Sequence, residues 1–167
     1  MDDNIEIGLK QLPNRNDHNC FGCGPANTHG LQMKFFTDDE AVFSWLKIPD
    51  HMCGFDNIIH GGIISTILDE IMSWSAIYLL KKLILTKSMT IEFIKPIYMG
   101  MELKTEGIVF EHKKKREVVM QGLIYDTKDI LCARSKGIYV LFEPKVAKRL
   151  KMMSEEALKD FEPILKA

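Results

Sequence analysis

The spacing of apolar residues predicts two short strands and then one enclosed helix in the first half of the chain. Residues 31–36 alternate at first and residues 41–48 are rich in β-forming side chains, with the acidic residues 38–40 as the turn between them. Residues 61–80 are apolar around nearly the whole circumference of a helix. Because a helix without a polar face has to be covered on all sides, we expect other elements to surround it.

The second half of the chain is rich in strand-forming residues. Four segments predict long strands, at residues 88–94, 102–110, 117–125 and 130–142. The later connections are short and polar, as antiparallel hairpins require. A single apolar helix next to such a sheet is buried best when the sheet curls around it. The element order therefore predicts an α+β protein with the hotdog fold, in which an antiparallel β-sheet curls around one long central apolar helix.

The chain divides into three segments on this pattern. Residues 1–30 hold most of the turn-forming residues and are expected to be an irregular lead-in. Residues 31–143 form the predicted hotdog domain, and residues 144–167 a helical tail. The 167 residues suffice for one domain with a sizeable core, and an apolar fraction of 46% excludes a disordered chain.

The charge balance argues against several kinds of partner. The 22 Lys and Arg residues are offset by 23 Asp and Glu residues, so the basic excess on which nucleic-acid binding depends is missing. A lipid-spanning helix would carry His60, Asp69 and Glu70 only at a high energetic cost, so we expect no membrane partner. The acidic N-terminus differs from a signal peptide, and the cysteines lack a secretory context, which predicts a cytoplasmic protein with reduced thiols.

The candidate chemistry lies at the start of the predicted helix, in His60-Gly61-Gly62. Two glycines allow a ligand carbonyl to approach the backbone closely, and the first N–H groups of a helix have no partner within the helix. With the positive end of the helix dipole behind them, these amides suit a developing oxyanion. Asp69 follows nine residues after His60. A carboxylate in such an apolar stretch is costly unless it is hydrogen-bonded or functional.

This combination resembles the hotdog-fold acyl-CoA thioesterases of the phenylacetate-pathway type, which share His-Gly-Gly and an Asp nine positions after the His. Thr86 lies ten positions before Pro96, which is a second match to the family pattern. The resemblance implies that Asp69 is the general base that activates water, or the nucleophile itself. Thr86 would orient the water or Asp69.

The family likeness extends to the lead-in, although one position departs from it. Gly54 stands six residues before His60, where several members have Asn, and Asn57 is a candidate substitute for substrate binding. The lead-in residues that resemble the N-terminal signature of many members are Cys20, Phe21, Gly22, Cys23, Gly24, Asn27, Gly30 and Leu31.

The same resemblance implies that the start of the helix binds the substrate carbonyl. The Gly61 amide would polarise the carbonyl of an acyl-CoA thioester, with Gly62 as a further substrate contact, and His60 would shape the site. The products would be a free acid and coenzyme A. Because a thiol with a pKa of about 8.5 is a good leaving group, this chemistry needs a base and an oxyanion site, and we expect no cofactor.

Two further residues are candidate substrate contacts. Glu70 is rotated by about 100° from Asp69 around the helix, and it is an alternative base, or a packing or interface partner. Arg116 ends the basic run 113–116. Such a run is either a contact for the phosphates of coenzyme A or a solvated hairpin tip.

Helix geometry separates the two halves of the predicted site. Gly61 and Asp69 are eight residues apart, which is about 12 Å along a helix axis. One carbonyl cannot touch both within one chain, so the donors and the base must come from different subunits if both act on it. We therefore expect a homodimer, or a dimer of dimers, with two composite active sites at the subunit interface.

Other interpretations of these residues make different predictions. His18, Cys20, Cys23 and His29 offer four zinc ligands, but they crowd into twelve residues without the usual intervening element, so the prediction is a glycine-rich turn and no metal. A non-catalytic acyl-CoA-binding hotdog domain is the alternative to the enzyme. A hotdog hydratase would need an Asp and a His close together, for which Asp56 and His60 have a spacing that does not match.

Overall fold

One long helix packs against one face of a seven-stranded antiparallel sheet in the computed structural model, which describes residues 8–166. The sheet has the strand order β1-β2-β3-β7-β8-β9-β6, while β4 and β5 form a separate hairpin. This architecture confirms the predicted hotdog fold. In chain order the elements are β1 (Lys10–Gln11), β2 (Phe36–Thr37), β3 (Val42–Lys47), a 3-10 turn (Asp50–Met52), β4 (Cys53–Phe55), β5 (Ile58–Ile59), α1 (Gly61–Leu80), β6 (Leu83–Phe93), β7 (Glu102–Lys114), β8 (Glu117–Tyr125), β9 (Leu131–Phe142), α2 (Pro144–Arg149) and α3 (Glu155–Leu165).

The enclosure of α1 explains why this helix is apolar on most of its sides. By length and composition α1 could cross a membrane, and 56% of its apolar window is buried inside the protein. Close packing on β7 depends on Gly107, because a methyl group there would lie 2.7 Å from the Ile71 carbonyl oxygen. Side chains of α1 that are fully shielded from solvent include Ile67, Leu68, Ile71 and Met72.

The first predicted strand, at residues 31–36, is mostly not a strand. Only Phe36–Thr37 pair in the sheet as β2. The preceding residues hydrogen-bond with the lead-in instead: the Leu31 amide donates to the Phe21 carbonyl at 2.9 Å, and the Met33 amide to the Gly22 carbonyl at 3.0 Å. The alternation still places apolar side chains inside, because extended backbone has the same period whether or not it pairs.

Two other segments differ from the predicted elements. Residues 49–60, for which no element was predicted, contain a 3-10 turn and the β4–β5 hairpin. Strand β6 begins at Leu83, five residues before the predicted start at residue 88, and pairs along its length with β9. Thr86 therefore lies within β6, three residues after its first residue.

The segment before β2 and the tail meet beside the C-terminal half of α1. The Trp74 ring stacks on Phe35, with centroids 4.6 Å apart, and lies 6.0 Å from the Phe161 ring of α3. Ser154 caps α3 by accepting a hydrogen bond from the Ala157 amide at 3.1 Å. Residues 1–7 of the predicted lead-in, and residue 167 of the predicted tail, lie outside the described residues.

Candidate active site

The carboxylate of Asp69 receives two hydroxyl hydrogen bonds on the same oxygen. Thr86 Oγ1 donates to Asp69 Oδ1 at 2.8 Å, and Tyr139 Oη donates to the same atom at 2.9 Å. Asp69 is half-buried and Thr86 is exposed, whereas Tyr139 is fully buried. Among the described residues no donor contacts Oδ2. Since Oδ1 is held by two donors, Oδ2 is the oxygen that is available for a proton or a substrate.

Strand register explains how two distant residues reach one oxygen atom. Thr86 and Tyr139 are directly opposite partners in the β6–β9 pair, so their side chains lie on the same face of the sheet, toward α1. The register then shifts between Thr86 and Ser88, which leaves Lys87 as an extra residue in β6. Such a bulge redirects a neighbouring side chain and is common beside active sites.

Tyr139 is a site residue that the sequence motifs did not identify. Burial, and then the charge of Asp69 and its hydrogen bond, raise the pKa of Tyr139 far above the ordinary value for a phenol. The hydroxyl therefore stays protonated and keeps donating to the carboxylate. In sequence Tyr139 is only one of several β-forming residues in the segment 130–142, and no spacing relates it to Asp69.

The start of α1 is arranged around His60. His60 is the N-cap residue, and its Nδ1 accepts a hydrogen bond from the Gly62 amide at 2.9 Å. The Gly62 amide, expected to be free, is therefore already satisfied. Because Nδ1 is an acceptor here, the proton of the neutral ring lies on Nε2, which makes Nε2–H a donor. Among the described residues the Gly61 amide has no hydrogen-bond acceptor, so it remains available to a ligand.

A groove lies beside this helix start. Its volume is about 290 Å³, and its lining includes His60, Ile63, Phe21 and His29. The Phe93 ring of β6 also packs near Gly61, where a methyl group would lie 3.6 Å from the ring. The Gly61 amide is therefore bordered by aromatic surfaces.

The free edge of β6 connects the two halves of the candidate site. Within residues 8–166, β6 is the last strand of the sheet and pairs only with β9. Leu85 is 50% exposed and Phe93 is 57% exposed. These apolar side chains lie close to Thr86 at one end of the strand and close to Gly61 at the other. An unpaired edge of eleven residues that exposes two large apolar side chains is a surface suited to pairing with another chain.

The remaining predicted substrate contacts lie elsewhere. Asn57 and the neighbouring Asp56 are exposed in the turn of the β4–β5 hairpin. Gly54 packs on His60, and a methyl group there would lie 3.1 Å from His60 Cα. Arg116 is exposed in the β7–β8 turn.

Glu70 belongs to a different cluster from Asp69. It lies under the lead-in turn, where its Oε1 is 3.7 Å from Cys20 Sγ and accepts a hydrogen bond of 3.3 Å from Trp74 Nε1. Burial, and then the negative charge on Cys20, raise the pKa of Glu70 to about 7. Contact with Cys23 lowers the pKa of Cys20 to about 5, and the same contact together with burial raises the pKa of Cys23. Glu70 and Asp69, although adjacent in sequence, therefore have separate partners.

The sequence around this site is similar to that of a known protein family. Residues 56–133 match the model of the Thioesterase superfamily, a segment that contains α1 and β6. The match confirms, at the family level, the resemblance to hotdog-fold thioesterases that His60-Gly61-Gly62 and Asp69 indicated. A comparison with curated proteins gives no match.

Solved structures share the fold at low sequence identity. The chain is similar to a thioesterase superfamily protein with a TM-score of 0.67 and 19% identity, over 73% of this chain and 60% of that one. It is similar to PaaI of the E. coli phenylacetic acid degradation operon, with a TM-score of 0.61 and 19% identity over 68% of this chain and 81% of that chain. A Streptococcus mutans UA159 protein bound to acetyl CoA gives a TM-score of 0.61 and 17% identity, over 66% and 88% of the two chains. The chain thus spans 60% of the length of the first of these proteins.

Proposed function

We propose that this protein is an acyl-CoA thioesterase, which hydrolyses an acyl-CoA thioester to a free acid and coenzyme A. The observation that carries the proposal is the pair of hydroxyl donors on Asp69 Oδ1, from Thr86 and Tyr139. Hydrogen bonds to a carboxylate favour its charged form and fix its orientation. The match of residues 56–133 to the Thioesterase superfamily supports thioester hydrolysis as the reaction class.

Asp69 Oδ2 acts as a general base in the proposed reaction. It takes a proton from a water molecule, whose oxygen attacks the thioester carbonyl carbon. The two hydrogen bonds on Oδ1 fix the orientation of the carboxylate and leave Oδ2 to hold the attacking water molecule. The tetrahedral intermediate then collapses, the carbon–sulfur bond breaks, and coenzyme A leaves as a thiolate, a group with a thiol pKa of about 8.5.

The Gly61 amide holds the carbonyl oxygen during this reaction. It is the first amide of α1, so the helix dipole reinforces the hydrogen bond as negative charge develops on the oxygen. His60 Nε2–H and the groove beside it bind the thioester end. His60 Nδ1 fixes the helix start through the Gly62 amide, so Gly62 contacts the substrate through its backbone surface rather than its N–H.

Each active site is built by two subunits of a homodimer. The regular helix α1 keeps Gly61 and Asp69 about 12 Å apart, too far for one carbonyl. We propose that two copies pair along β6, so that Asp69 of one protomer faces the Gly61 amide of its partner. The exposed Leu85 and Phe93 on this edge support the pairing.

The coenzyme A end of the substrate lies toward the β7–β8 turn. Arg116 precedes Glu117, and the next residue, Val118, is paired with Tyr139 in the sheet. The basic turn is therefore at the same end of the sheet as Asp69, and we propose that Arg116 binds a phosphate of coenzyme A. Asn57 contacts the acyl end near the helix start.

The four free cysteines support a location in the reducing cytoplasm.

A panel of acyl-CoA substrates with thiol detection tests the proposal. We expect turnover by the wild type, and a loss of about 10²–10⁴-fold in kcat for Asp69→Asn, with far-UV circular dichroism unchanged. Asp56→Asn is the matched control, because Asp56 is an exposed carboxylate in the β4–β5 turn. It should retain full activity.

Two outcomes would contradict the enzymatic proposal. Binding of acyl-CoA without turnover of any substrate would identify a non-catalytic binding domain. Loss of activity in Asp56→Asn but not in Asp69→Asn would indicate that Asp56, in the β4–β5 hairpin, is the catalytic carboxylate, as the hydratase alternative requires.

A further inference from the structure

A cluster outside the proposed thioesterase site combines two cysteines with a carboxylate. The ligand atoms of Cys20, Cys23 and Glu70 all lie within 4.8 Å of one another. Cys20 Sγ is 3.7 Å from Glu70 Oε1 and 3.9 Å from Oε2. The cysteines come from the lead-in turn and the carboxylate from the middle of α1, so the fold brings together residues fifty positions apart.

A donor from α1 faces the cluster, and the backbone of the lead-in turn holds Cys20 in place. The Gly24 amide closes the turn on the Cys20 carbonyl at 3.0 Å. Trp74 Nε1 lies 3.4 Å from Cys23 Sγ and 3.3 Å from Glu70 Oε1. Donors around anionic ligands are the outer contacts that orient and support a metal site.

A glycine makes room for the carboxylate. A methyl group on Gly22 would lie 2.6 Å from the Glu70 carboxyl carbon. The turn therefore accepts Glu70 only because position 22 has no side chain, and the carboxylate lies within 4.8 Å of both sulfurs.

We propose that Cys20, Cys23 and Glu70 bind one divalent metal ion of the zinc class, with a water molecule as the fourth ligand. Two thiolates and a carboxylate are ligands that zinc accepts and that magnesium and calcium do not prefer. Tetrahedral zinc with Zn–S of about 2.3 Å and Zn–O of about 2.0–2.2 Å separates a sulfur from an oxygen by about 3.5–3.7 Å. The 3.7 Å between Cys20 Sγ and Glu70 Oε1 agrees with that separation.

The ligands in the structure differ from the four zinc ligands that sequence spacing suggested, because neither histidine is among them. His18 Nε2 interacts with Asn14 Oδ1 at 2.9 Å, and His18 Nδ1 faces the Cys20 amide at 3.4 Å. His29 lines the groove beside His60. Neither histidine belongs to the cluster, and Glu70 takes the third position instead.

The proposed ion would cross-link the lead-in turn to α1 at Glu70, the residue next to Asp69. Glu70 precedes the helix turn that carries Trp74, whose ring is stacked on Phe35, just before β2. Binding to the folded protein alone would raise its thermal stability, as any ligand specific for the native state does.

Titration of the reduced, metal-free wild-type protein with Zn²⁺ and with Co²⁺ tests the proposal. We expect one equivalent of zinc by elemental analysis, a thiolate-to-cobalt charge-transfer absorption, and a rise in melting temperature on adding Zn²⁺. Cys20→Ser and Glu70→Gln should weaken Zn²⁺ binding by at least the roughly 10–100-fold typical of changes in outer contacts. Cys53→Ser is the matched control, since Cys53 is an exposed thiol outside the cluster, and it should bind like the wild type.

The cobalt spectrum of the wild type decides the proposal even if a variant fails to fold. Absence of the charge-transfer band and of stoichiometric zinc would overturn it. So would a Cys20–Cys23 disulfide that forms readily in a protein without metal affinity, because the pair would then be a redox couple. Equal zinc binding by wild type and Glu70→Gln would remove Glu70 from the ligand set.

Discussion

Tyr139 Oη donates a 2.9 Å hydrogen bond to Asp69 Oδ1 from within the core, and this buried contact complements the one from exposed Thr86. The phenol lies on β9, seventy residues after the carboxylate, and is completely shielded from solvent. It therefore fixes the carboxylate from the protein side, while Thr86 does so from the solvent side. The proposed base is oriented before any substrate arrives.

Replacing Tyr139 by Phe should lower activity without unfolding the protein. The change removes a hydrogen bond to a charged group, worth about 1.5–3 kcal/mol, so we expect kcat to fall by roughly 10–100-fold while KM changes little. Steady-state kinetics and circular dichroism measure both effects. Tyr125→Phe is the matched control, because Tyr125 ends β8 and is not one of the two hydroxyl donors to Asp69. An unchanged kcat in Tyr139→Phe would show that the phenol has only a packing role.

Mixing two inactive variants tests whether each site needs two subunits. Gly61→Pro removes the proposed oxyanion donor at the first helical position, where proline is well tolerated. After co-refolding in equal amounts with Asp69→Asn, random pairing should restore about a quarter of the wild-type sites, because half of the dimers carry one intact composite site. Gly61→Ala keeps the amide and should remain active. No recovery in the mixture would place both groups of each site in one chain.

The free edge of β6 should carry the dimer interface. Phe93→Glu replaces an exposed apolar side chain on this edge by a charge, so we expect a shift from dimer to monomer in light scattering and a parallel loss of activity. Phe110→Glu is the matched control: Phe110 on β7 is 47% exposed, and Lys136 lies over its ring at 3.3 Å from the centroid. A stable Phe93→Glu dimer would contradict pairing along β6.

Alkaline stability should depend on Tyr78. The Tyr78 hydroxyl donates to Asp39 Oδ1, and this bond, with burial and the Asp39 charge, raises the pKa of Tyr78 to about 12. A raised folded-state pKa gives stability that is complete below the unfolded value of about 10 and is lost as the pH rises toward 12. Thermal melts from pH 8 upward should therefore show a steeper decline for the wild type than for Tyr78→Phe or Asp39→Asn. Parallel profiles would mean that the bond does not contribute.

Much of the fold could be predicted because burial leaves a direct pattern in the sequence. The helix at residues 61–80 is apolar on nearly all sides, and it begins and ends where α1 does. The strand predicted at residues 31–36 was mostly wrong, because alternation of apolar residues indicates which side chains are buried and not whether the backbone pairs with another strand. Its amides donate to the lead-in instead.

The candidate site was predictable only as far as local spacing reaches. Asp69 and Thr86 stand in a motif, and the structure brings them to 2.8 Å. Tyr139 reaches the same oxygen through strand register, which no local pattern encodes. Glu70 likewise meets Cys20 through the packing of the lead-in on α1, and the capping of Gly62 by His60 depends on a side-chain rotation that spacing does not specify.

The extra residue at Lys87 limits which strands can join the open border of the sheet. It divides β6 into a short stretch, residues 83–86, and a longer one, residues 88–93, which follow different registers against β9. A neighbour with ordinary pleating can align with one stretch but not smoothly with both. The bulge therefore interrupts the row of backbone hydrogen-bonding groups that an aggregating strand would pair with. A second copy of this chain, related by two-fold symmetry, can instead pair with the longer stretch alone.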